Sequence, residues 1–93
     1  MRSLAERVAY LRRVAGLGQR EADRLAGLHR GQSGEFERGT RENPRRDSLV
    51  KLGALYGAPL TWLLTGQGSA PAQRTVKRCV NSAREAHAKA IRE

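Results

Sequence analysis

The side chains able to do covalent chemistry are few in this sequence and far apart. His29 and His87 are widely separated, Cys79 falls in a helical stretch with no base marked beside it, and no glycine-rich loop precedes a lysine. No enzyme activity is expected. A single thiol also excludes a disulfide framework and a cysteine-built zinc site, so neither metal nor cofactor is expected. What the chain has in excess is positive charge. Eighteen Lys and Arg stand against nine Asp and Glu in 93 residues, a net +9. Most of the basic residues are Arg, whose planar fork matches phosphates and guanine edges where Lys offers a point charge. Basic side chains gain affinity for polyanions by displacing condensed counterions, which makes nucleic acid the expected partner. The alternative is a solvated basic face, since charge balance alone specifies no site.

These residues need a scaffold, and the hydrophobic pattern supplies helices only. Leu4, Val8, Leu11 and Ala15 mark one helix face, with Ser3 and Glu6 in capping-box spacing at its start. Gly16 and Gly18 break that helix. A second, from Gln19 to Ala26, turns Ala22, Leu25 and Ala26 inward, and Gly27 ends it as a left-handed C′ residue with Leu28 plugging the space beneath. A third runs from about His29 to Glu37 and stops at Gly39. The stretch GTRENPRR, residues 39–46, reads as a loop, with Pro44 holding Asn43 extended. Leu49, Leu52, Leu55 and Tyr56 give a fourth helix ended by Gly57. Pro59 opens a short fifth, LTWLL, closed by Gly66, and Trp62 is read as structural. Residues 67–73, QGSAPAQ, have linker composition. Residues 74–93 form an amphipathic helix with an Ala-rich stripe, too weak to fold alone. No window approaches 18 apolar residues and the N-terminus lacks a signal-peptide core, so the chain is expected in the cytoplasm and not in a membrane. A chain this short buries only about 60–65% of its unfolded surface, which makes a second subunit a natural source of burial.

Residues 17–39, LGQREADRLAGLHRGQSGEFERG, resemble the helix-turn-helix unit of the Cro/CI-type, lambda-repressor-like family of DNA-binding domains. Gln19, Ala22, Gly27 and the Glu37-Arg38-Gly39 ending fall at family positions. Asn43-Pro44, the L-x-x-L before Gly57 and LTWLLTG at 60–66 extend the likeness over residues 4–66. The resemblance implies an all-α fold: a five-helix helix-turn-helix domain over residues 1–66, a linker at 67–73 and a C-terminal helix at 74–93. Its implied function is sequence-specific DNA binding by a homodimeric transcriptional regulator, a repressor by preference, on a palindromic operator. An antitoxin-like protein that binds a toxin partner, or a degenerate interaction module, is the alternative.

What the resemblance implies for single residues is equally definite. The second helix lies across the DNA backbone and the third enters the major groove. Base reading then falls by position to His29, Arg30, Gly31, Gly34 and Glu35, with the Arg30 fork matched to guanine O6 and N7. Glu35 either accepts from cytosine N4, orients Arg30 or repels phosphate. Backbone contacts fall to Gln19, Arg20, Gln32, Arg38 and the loop residues Arg41, Arg45 and Arg46, for which plain solvent exposure is the alternative. Arg12 and Glu37 match a partly buried pair that supports the reading helix. The sequence departs from the family at Gly31 and Gly34, each lowering helix propensity by about 1 kcal/mol, and at Ser33, where a β-branched apolar residue is usual. Val76, Val80, Ala83, His87 and Ile91 form the tail's stripe and are expected to pair with the same helix of a second subunit, the alternative being that the helix folds back on its own domain.

Overall fold

A computed structural model describes residues 3–39 and 45–92. Among these the chain is all-α, with helices α1 (Leu4–Ala15), α2 (Gln19–Ala26), α3 (Gln32–Arg38), α4 (Arg46–Tyr56), α5 (Leu60–Thr65) and α6 (Gln73–Arg92). No helix among the described residues is long and apolar enough to cross a membrane.

The helix ends follow from local chemistry. Ser3 Oγ accepts the Glu6 amide at 3.1 Å, satisfying one of the orphan donors at the start of α1. At the far end the chain turns left-handed at Gly16, and the Leu17 amide returns to the Arg12 carbonyl at 3.1 Å. The same device ends α2, where the Leu28 amide bonds the Asp23 carbonyl at 2.8 Å and Leu28 folds against the core.

The core lies where α1 and α4 meet the other helices. α1 packs on α3, α5 and α6, while α4 packs on α2, α5 and α6. Leu11, Ala22, Leu52 and Leu63 are completely buried, with Val8, Phe36, Leu49, Tyr56 and Trp62 around them. A charge sits within this core. The buried Arg7 donates from Nε to the Leu63 carbonyl at 2.8 Å and from Nη2 to the Leu64 carbonyl at 3.1 Å. It caps the last turn of α5, at the negative end of that helix.

The tail departs from the expected arrangement. Val76 and Val80, expected at a subunit interface, are each 1% exposed and belong to the core of their own chain. Ala83 and His87 are half-buried, and only Ile91, 72% exposed, is free of the packed surface. An isolated Ala-rich helix gains little from propensity, so its two valines one turn apart seek the nearest apolar cleft. That cleft is the face that α1 and α4 leave open. Close approach is permitted at Gly57, where an added Cβ would lie 2.6 Å from Cys79 Sγ and 3.2 Å from Thr75 Cγ2. Farther along, Arg84 Nε reaches Glu21 Oε2 of α2 at 3.4 Å. Residues 67–72 therefore connect α6 back onto the domain, and do not set it apart.

Candidate nucleic-acid interface

The unit made of α2, the turn at residues 27–31 and α3 is fixed by polar groups from inside. α3 begins at Gln32, three residues later than the periodicity suggests, because Gly31 occupies its N-cap with φ +92° and has no side chain to cap with. The cap comes from α2. Asp23, 3% exposed, accepts the Gly31 amide on Oδ2 at 2.8 Å and the Ser33 amide on Oδ1 at 2.7 Å. A carboxylate here satisfies two orphan donors and faces the positive end of the helix. Gln32 completes the lock: its Oε1 accepts the His29 amide at 3.1 Å and its Nε2 donates to Ser48 Oγ of α4 at 2.7 Å. Gln32 was expected against the DNA backbone; it is instead 5% exposed, since its amide is the group that ties the turn to α4.

The other end of α3 is held by an ion pair. Arg12 Nε and Nη2 donate to Glu37 Oε2 and Oε1 at 2.7 and 2.9 Å, and Arg12 Nη1 donates to the Leu17 carbonyl at 2.8 Å. The side chains are 19% and 8% exposed, respectively. The hydrogen bonds to Glu37 raise the Arg12 pKa further above its ordinary value, partly offset by burial. A carboxylate in the last turn opposes the helix dipole, and the bidentate guanidinium compensates for it. Phe36, between the two ends, is in the core.

Two hydroxyls, Ser33 Oγ of α3 and Tyr56 Oη of α4, are buried and have no hydrogen-bond partner among the described residues. Burial, aided by the nearby Glu37 charge, pushes the Tyr56 phenol above its ordinary value. The folded state thus favours the neutral phenol, a contribution that is complete below the unfolded value of about 10 and is lost as pH rises through the folded value. Tyr56→Phe removes the unpaired group. We expect its urea midpoint at neutral pH to match wild type or to rise by the equivalent of about 1 kcal/mol, with a shallower alkaline decline. A loss of 1 kcal/mol or more would show that the hydroxyl has a partner.

The outward face of the unit is basic. Gln19, Arg20, Arg24, His29, Arg30 and Arg38 are exposed and Glu35 is half-buried. Gly31 is exposed in the turn. Gly34, placed by the resemblance among the base-reading positions, is buried: an added Cβ would lie 3.1 Å from Gln19 Oε1 and 3.0 Å from Arg38 Nη1. The missing side chain therefore lets the amide of α2's first residue and the guanidinium of α3's last residue converge across α3. Arg45 and Arg46 are exposed at the start of α4, while Arg41 lies outside the described residues. Arg20, Arg24 and Arg30 line one open cleft of about 380 Å³ together with Asp23 and Leu28.

Asp23, Arg24, Ser48 and Arg7 escaped the sequence reading. Asp23 carried a usable signal, a carboxylate eight residues before the glycine that caps the next helix. Arg24 differs from Arg20 by one helical turn, a spacing that places both on one face. Among the described residues no group of three His, Cys, Asp or Glu is placed to hold a metal ion. Comparison with protein-family models, curated proteins and solved structures finds no match for the chain. The chemistry available at this face is the recognition of anions by guanidinium and amide donors.

Proposed function

We propose that the chain is a transcriptional regulator that binds double-stranded DNA through a Cro/CI-type helix-turn-helix, with α2 across the backbone and α3 in the major groove. The observation that carries this reading is the division of the α2, turn and α3 unit into two sides. Inside, Asp23, Gln32, Phe36 and the Arg12–Glu37 pair are spent on holding geometry. Outside, Gln19, Arg20, Arg30 and Arg38 are exposed on a chain of net +9. A turn locked so firmly while its polar surface stays open suits a rigid reading head.

A homodimer on a palindromic operator fits this reading, because one helix of seven residues covers only a half-site; reading heads about 34 Å apart would address successive turns of one DNA face. The dimer contacts then lie outside Val76 and Val80. The antitoxin-like alternative loses support for the same reason, since the tail stripe meant for a partner is occupied by the chain's own core.

Fluorescence anisotropy with duplex DNA at several salt concentrations tests the reading. Each neutralised phosphate should contribute about −0.9 to the slope of log K against log salt, and selection from random duplexes should yield a palindromic site. A flat slope, or no binding, would leave a protein-interaction module.

A further inference from the structure

Arg30 does not project from α3. It lies in the turn before that helix, beside the cleft that α2 lines with Arg20 and Arg24. All three arginines are exposed, and among the described residues none of them forms a salt bridge. The one acidic group in the cleft wall, Asp23, directs both carboxylate oxygens at the amides of Gly31 and Ser33. It is thus committed to the backbone and bridges none of the three guanidiniums. Arg20 and Arg24 stand one helical turn apart on the same face of α2, and like charges so spaced repel until an anion lies between them. A concave site of this kind, lined by three guanidinium side chains together with Asp23 and Leu28, has the charge to hold a phosphate group and ample room for one.

We propose that Arg20, Arg24 and Arg30 form a clamp on a single phosphodiester of the bound duplex, so that Arg30 fixes register and leaves base reading to residues of α3. The inference rests on the DNA-binding reading above and assigns to Arg30 and Arg24 a role distinct from guanine recognition. Phosphate contacts position a protein without carrying sequence information, whereas base contacts discriminate.

The test uses the full chain and two duplexes, one selected from random sequence and one unrelated. Arg24→Gln and Arg30→Gln should each lower affinity for both duplexes by the same factor, and replacing all three arginines should take only about 0.9 from the salt slope, the share of one phosphate. Neutral methylphosphonate placed at each backbone position in turn should then reveal one phosphate whose neutralisation weakens each variant less than it weakens the wild type, the non-additivity expected of groups in contact. Exposed arginines can be replaced without loss of fold, which equal thermal midpoints verify. A loss for Arg30→Gln on the selected duplex alone would overturn the clamp in favour of base reading. So would unchanged affinity for Arg24→Gln, or additive losses at every phosphate. Absence of salt-dependent binding by the wild type would instead remove the DNA-binding reading itself, and the clamp with it.

Discussion

A chain ended after Gly68 should fail to fold. The truncation removes α6 and with it Val76 and Val80, both fully buried, and uncovers the faces of α1 and α4 on which they rest. Burying a Val side chain contributes about 1.5–3 kcal/mol, and the exposed partners lose as much surface again. The whole stability of a domain of 93 residues is about 5–14 kcal/mol. Losing α6 consumes most of that range. Val80→Ala alone should cost about 2 kcal/mol through lost burial and the cavity left behind. Urea unfolding followed by circular dichroism checks both. A truncated chain with a cooperative transition at the wild-type midpoint would show α6 to be an appendage, and would reopen its valines to a second subunit.

Glu37→Ala should be the most damaging single change near the candidate interface. It leaves the Arg12 guanidinium largely enclosed, with the Leu17 carbonyl as its remaining partner. Removing one member of a buried pair costs about 3–5 kcal/mol because the survivor keeps its desolvation penalty; at 19% exposure for Arg12 the lower figure is expected. Arg12→Met combined with Glu37→Ala should recover part of the loss, so the double-mutant cycle returns a coupling well above that of an exposed pair. DNA affinity should fall with stability, because the last turn of α3 is then free to fray. A coupling indistinguishable from zero would reduce the pair to a surface contact.

How much of this was legible in the sequence depends on whether the cause was local. The ends of α1, α2 and α5 are set by Ser3, Gly16, Gly27 and Gly66, whose preferences act within a turn of the chain. The start of α3 is set by Asp23, from the preceding helix, and a local reading therefore placed it three residues early. Gln32 illustrates the same limit: a polar residue at a helix start reads as exposed, and only its bond to Ser48 shows otherwise. The Arg12–Glu37 contact was accessible because the resemblance named both positions. The docking of α6 was not, since a stripe of Ala and Val states that a surface is needed without saying whose. Gly57, which admits Cys79, and Arg7, which holds α5, exert their effects only once distant helices have met.

The division of labour inside α3 has a consequence for how such a protein can change its target. Positions 32, 33, 34, 36 and 37 are committed to the scaffold by burial or pairing, while position 38 and the turn residues 29 and 30 are exposed. Variation at those three positions alters what the face touches and leaves the scaffold intact. A library confined to them should therefore yield many folded variants, with position 30 changing affinity and positions 29 and 38 changing sequence preference, whereas one spread over the whole helix should be dominated by unfolded chains. The address is written separately from the envelope.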